Sequence, residues 1–173
     1  KTLDVLAFSF KSARQTLSDS TFLSGIELTG KAYQDEVELR AGWSGSSNGT
    51  EGDLAVVGQV MGLRSYEFDL LPSKLFFGRG LWQSSGTAHF TIDSSTVVVD
   101  SLQLENEGQR VLLDGVISRD PAQALDFAVS DVLLENVMPF YKGPQLHGIL
   151  NGEGRVFDVY GAPVLLSYLC ADS

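Results

Sequence analysis

Apolar and polar residues alternate with a period of two along most of the chain, and long stretches at helical spacing are nearly absent. The alternation predicts strands over Leu3–Phe10, Thr21–Leu28, Ala32–Ala41, Gly52–Met61, Tyr66–Leu71 and Gly86–Ile92. It continues over Val97–Glu105, Arg110–Ser118, Leu125–Ser130, Leu146–Val156 and Pro163–Leu169. Between them lies turn chemistry: Ser46-Ser47-Asn48-Gly49-Thr50, Asp93-Ser94-Ser95, Glu107-Gly108 and Arg119-Asp120-Pro121. Two stretches do not read as strand, Lys11–Ser20 and Asp131–Phe140. The second, with Val132, Leu133 and Val137 before Pro139, predicts a short helix crossing one end of a sheet. The fold class is all-β, with at most one or two short helices.

The middle of the chain specifies its own register. A two-residue turn at Glu107-Gly108 places Leu104 opposite Val111, Leu102 opposite Leu113 and Val98 opposite Ile117, all on one side. On the other side Glu105 faces Arg110, an opposite-charge cross-strand pair. A slip of one residue would set apolar against polar along the whole ladder. Through the Pro121 loop, Leu125 then faces Ile117, Phe127 faces Gly115 and Val129 faces Leu113, with the Phe127 ring lying over a neighbouring glycine. Upstream, a three-residue turn at Ser94–Thr96 sets Ile92 opposite Val98 and Ala88 opposite Leu102; a two-residue turn would move Phe90 and Ile92 to the other face. Residues 86–130 thus read as a four-stranded antiparallel meander with one continuous apolar face.

That face needs a cover. About ten residues of helix are too few to supply it. Either the N-terminal strands fold over as a second sheet, or the sheet curls into a gutter whose apolar interior receives something else. The candidate lining is Ile92, Val98, Leu102, Leu104, Val111, Leu113, Ile117, Leu125, Phe127 and Val129.

Length and composition narrow the alternatives. The 173 residues fit one domain or one segment of something longer. A net charge of -10 argues against nucleic acid as the main partner, because phosphate binding requires a clustered basic surface. No apolar run reaches the roughly 18–20 residues of a membrane-spanning helix. The chain begins at Lys1 without a signal-peptide pattern and ends just after an apolar stretch, so we expect a mature or recombinant piece of a longer protein.

Candidate chemistry is sparse. Cys170, the single cysteine, cannot form an intrachain disulfide or a cysteine-based zinc site. His89 and His147 lie far apart on predicted strands and read as cross-strand or exposed polar residues. Asp100 is placed by the register toward the apolar side, opposite Gly115, where an inward charge reads as a strand kink or a device against mispairing. Gly78-Arg79-Gly80 and Gly152-Glu153-Gly154 lack the third glycine and the strand-to-helix context of a nucleotide loop. Asn48-Gly49-Thr50 reads first as a turn, although it fits the glycosylation pattern. The glycines on one parity of Leu146–Gly154 leave a strand with little side chain on that face, either closely approached or a shallow groove wall. We therefore expect no catalytic residues, no metal, no cofactor and no enzyme activity.

The order of elements over residues 97–169 resembles a known repeat. Val97-Val98-Val99-Asp100-Ser101-Leu102-Gln103-Leu104-Glu105-Asn106 precedes Val111-Leu112-Leu113-Asp114-Gly115-Val116-Ile117-Ser118 and Leu125-Asp126-Phe127-Ala128-Val129. A crossover ending in Met138-Pro139-Phe140 follows. Then come Leu146-His147-Gly148-Ile149-Leu150-Asn151-Gly152-Glu153-Gly154 and Asp158-Val159-Tyr160-Gly161-Ala162-Pro163. This succession resembles the repeating unit of the TamB-type translocation and assembly module proteins, relatives of the AsmA-like family. It covers a little under half the chain well; residues 1–75 share only a general strand texture, and residues 76–173 carry the repeat-like region of a single β-rich segment.

The resemblance implies an elongated antiparallel sheet folded as a β-taco or gutter with an apolar interior. It implies a periplasmic location in a parent anchored in the inner membrane, and an outer-membrane barrel partner reached through that parent. The expected cargo is phospholipid acyl chains or unfolded outer-membrane protein strands, the latter by addition to an open sheet edge beside Gly148–Gly154. The competing reading is a closed β-sandwich for adhesion or sugar binding, with the same residues as core. There Trp43 or Trp82 would form an exposed platform.

Overall fold

The computed structural model describes residues 5–18, 21–46, 51–62, 64–77, 80–137, 147–160 and 162–172. Among the described residues, fourteen strands and one short helix follow in chain order. The first half holds β1 (Leu6–Ser18), β2 (Thr21–Tyr33), β3 (Glu36–Trp43), β4 (Gly45–Ser46), β5 (Glu51–Gly62), β6 (Ser65–Leu70) and β7 (Ser73–Phe77). The second half holds β8 (Gly80–Ser84), β9 (Ala88–Ile92), β10 (Val97–Asn106), β11 (Gln109–Ile117), β12 (Ala124–Leu133), α1 (Leu134–Val137), β13 (Ile149–Phe157) and β14 (Val164–Asp172). All strands belong to one antiparallel sheet with the order β1-β2-β3-β5-β6-β9-β10-β11-β12-β13-β14. The all-β expectation holds.

Between β5 and β10 the sheet is split lengthwise. One half of β5 pairs with β6, which pairs with β9 and so reaches β10. The other half pairs with β7, which pairs with β8, and β8 meets β10 at Glu105. Two short hairpin-like rows therefore sit end to end across one gap. Trp82, Ala88 and Val99, three of the four apolar residues buried among those described, belong to β8, β9 and β10, where this seam closes. Ser73 fixes it: its hydroxyl donates to the Leu71 carbonyl at 2.7 Å and accepts from the Ala55 N–H at 3.2 Å. The fourth buried apolar residue, Val132, lies in β12 just before α1.

The expected short helix is present as α1 at one end of β10–β13. Asn136 is almost fully buried there, and its Nδ2 donates to Gln109 Oε1 at 2.9 Å. The Leu133 N–H reaches the same Gln109 oxygen, and the Leu134 N–H bonds the Gly148 carbonyl. One side-chain amide thus ties the β11 start to the helix. Met138-Pro139-Phe140 lies outside the described residues.

Several boundaries differ from the sequence expectation. Lys11 to Ser18 continue β1 rather than leaving it, because Lys11, Ser12 and Arg14 pair with Glu27, Ile26 and Ser24. The single strand expected over Ala32–Ala41 is two, joined by a turn at Gln34-Asp35 in which Gln34 takes a left-handed φ of 55° without glycine or proline. Strands β4, β7 and β8 were not expected. The Asn48-Gly49-Thr50 turn and most of Gly78-Arg79-Gly80 lie outside the described residues.

Candidate functional site: the apolar face

Cross-strand partners share a face, so the register sorts every side chain. One face receives Leu6, Phe8 and Phe10 of β1, Leu28 and Ala32 of β2, and Val37, Leu39 and Ala41 of β3. It continues through Leu54, Val56 and Val60 of β5, Tyr66, Phe68 and Leu70 of β6, and Ala88, Phe90 and Ile92 of β9. Then come Val97, Val99, Leu102 and Leu104 of β10, Val111, Leu113 and Ile117 of β11, and Leu125, Phe127, Val129 and Val132 of β12. Leu150 and Val156 of β13 and Leu165 and Leu169 of β14 complete it. From β2 to β14 no paired Asp, Glu, Lys or Arg falls on this face; Arg14 of β1 is the one charge on it.

The opposite face carries the charge. Lys11–Glu27 at 2.7 Å, Arg40–Glu38 at 3.6 Å, Arg110–Glu105 at 3.3 Å and Arg155–Asp126 at 2.7 Å all lie there. Each pair is solvent-exposed, so these contacts contribute little stability and chiefly solvate that side. The result is a sheet amphipathic across most of its width, β14 excepted, with eleven strands spanning about 48 Å at the usual strand spacing.

Nine of the ten expected lining residues are on the apolar face. Leu104 opposite Val111, Leu102 opposite Leu113, and Glu105 opposite Arg110 are paired as expected. Val98 is the exception. A bulge at Asp100-Ser101, with Ser101 at a φ of 61°, inserts one residue and pairs Val97 with Ile117 and Val98 with Val116. Val98 thereby turns to the polar face, and Val97 and Val99 replace it.

Asp100 moves with it. It lies exposed opposite His89 rather than facing inward over Gly115, and accepts a 2.6 Å hydrogen bond from the Ser101 hydroxyl. Ile92 keeps its face because the loop is longer than expected: Ile92 pairs with Val97 across Asp93–Thr96. The β11–β12 loop slides the next pairings by two residues, so Leu125, Phe127 and Val129 meet Gly115, Leu113 and Val111. A shift of two preserves the face.

Glycines let the large rings lie flat. A Cβ at Gly154 would fall 2.7 Å from Phe127 Cζ, so the Phe127 ring covers Gly154 of β13 and not Gly115 of β11. The same ring-over-glycine packing recurs elsewhere: Phe8 lies over Gly30, Trp43 over Gly52 and Phe68 beside Gly58. Phe68 also stacks on Phe90, with centroids 4.8 Å apart. These contacts lie within one layer. They bring the middle of the face to partial burial, and the described residues form one sheet only.

The total surface measures how open the arrangement is. A compact 18.7 kDa chain is expected to expose roughly 8,300 Å², and this one exposes 11182 Å². Trp82 is buried and Trp43 half-buried, so neither is an exposed sugar platform.

Among the described residues the titratable side chains meet mainly in pairs. His89 Nδ1 is 2.8 Å from Asp69 Oδ1 and its Nε2 is 3.5 Å from Thr91 Oγ1, all three half-buried on the polar face. This orients an imidazole, a link the sequence concealed because 20 residues separate the pair. The backbones of all three are engaged in the ladder and offer no free donor pair to a developing oxyanion. His147 pairs instead with Glu135 at 2.9 Å. Among the described residues no group of three or more His, Cys, Asp and Glu is placed to hold a metal. Cys170 is free and exposed. Among these residues, too, no helix is long and apolar enough to cross a membrane.

Gly148–Gly154 is not an open edge. Strand β13 is paired on both sides, with β12 and β14, and the sheet ends at β1 and β14. Comparisons with family models, with curated proteins and with solved structures found no match to this chain.

Proposed function

We propose that this chain is a non-catalytic segment whose apolar face shelters phospholipid acyl chains or unfolded outer-membrane protein strands in transit between membranes. The parent would be a TamB-type translocation and assembly protein of the periplasm, anchored in the inner membrane and reaching an outer-membrane barrel. One observation carries the reading: a face free of paired charge across ten neighbouring strands, with no second layer over it among the described residues. Each CH₂ withdrawn from water onto such a face gains about 0.8 kcal/mol. Binding therefore needs lining rather than a head-group site, and continuity lets a chain slide along it. A closed sandwich would use the same residues as core, but one sheet and a large exposed surface favour the open reading.

The test is site-specific photo-crosslinking. A photoreactive residue at Leu104 samples the apolar face, and one at the adjacent Gln103 samples the polar face. Phospholipid or a client strand captured at 104 and not at 103 supports the proposal, with the adduct mass naming the cargo. Equal capture at both sites, or none at 104, overturns it.

A further inference from the structure

We draw no further inference here: the strongest candidate, the open cavity on the polar face over β2, β3, β5, β6 and β9, is walled chiefly by the acidic cluster Glu36, Glu38, Glu67 and Asp69 beside Tyr33 and His89, and nothing among the described residues points to a ligand for it.

Discussion

Adding a single methyl group at Gly154 tests whether the sheet is packed ring over glycine. Gly154 sits in β13 with a backbone conformation open to any residue, so Gly154→Ala introduces a contact problem and no dihedral strain. The new Cβ would lie 2.7 Å from both Cε1 and Cζ of Phe127 and 2.8 Å from the Leu166 carbonyl oxygen. The ring can rotate away; the carbonyl belongs to the β14 ladder and cannot. Overpacking of this kind costs about 1–3 kcal/mol. For a chain of this size that lowers the melting temperature by roughly 2–12 °C. Gly62→Ala is the matched control, since nothing lies within 4 Å of its Cβ position. There the loss of unfolded-state freedom gives a gain of about 0.4–1 kcal/mol. Urea titration followed by tryptophan fluorescence measures both. Combining Gly154→Ala with Phe127→Leu should recover the ring's part of the loss, an interaction energy of about 0.5–3 kcal/mol in the double-mutant cycle. Equal stability of Gly154→Ala and the unaltered chain, or no recovery in the double variant, would refute the packing account.

Three further outcomes are expected. Trp82→Ala, at a side chain exposed by only 1% where the split rows meet β10, should cost about 3–5 kcal/mol by thermal or urea unfolding. Asn136→Ala removes a buried donor to Gln109 and should cost about 1–3 kcal/mol, detectable as loosened amide protection around Leu133 and Leu134. The Ser95 backbone N–H, followed by its hydroxyl, holds the Asp93 carboxylate below its usual value of 3.8. That support for the β9–β10 loop is present above the usual value and lost as pH falls through the lower folded-state one. The stability gap between the unaltered chain and Asp93→Asn should therefore narrow on acidification, and a gap constant with pH would contradict it.

Much of the sheet was legible because alternation is strict where one face is buried. The Glu107-Gly108 hairpin was readable in full: both residues take a positive φ, 48° and 91°, as a two-residue turn with a glycine demands. The Val98 error came from a bulge whose two residues, Asp100 and Ser101, stand opposite one and look like ordinary alternating strand in sequence. Hidden in the same way was the Gln34-Asp35 turn, since neither residue is the glycine that usually marks a left-handed position. β1 was cut short because Lys11, Ser12 and Arg14 break the apolar rhythm; their pairing to β2 is made by backbone, which carries no side-chain signature. The extent of the apolar face beyond residues 86–130 became visible only through register, because it depends on which strand lies beside which. The Asp69–His89 contact was invisible for that reason too.

The order of strands has a consequence for growth and folding. Apart from the split rows, nearly every strand pairs with its neighbour in sequence. Contacts are therefore short-range along the chain for a β protein, and short-range contacts speed folding. Stability is expected to accumulate hairpin by hairpin, as in a one-dimensional array where each unit answers mainly to the unit beside it. Such a polymer lengthens by duplication of a hairpin without inventing a new kind of contact. It can also order progressively from one end as the polypeptide emerges, each new strand templated by the one already laid down.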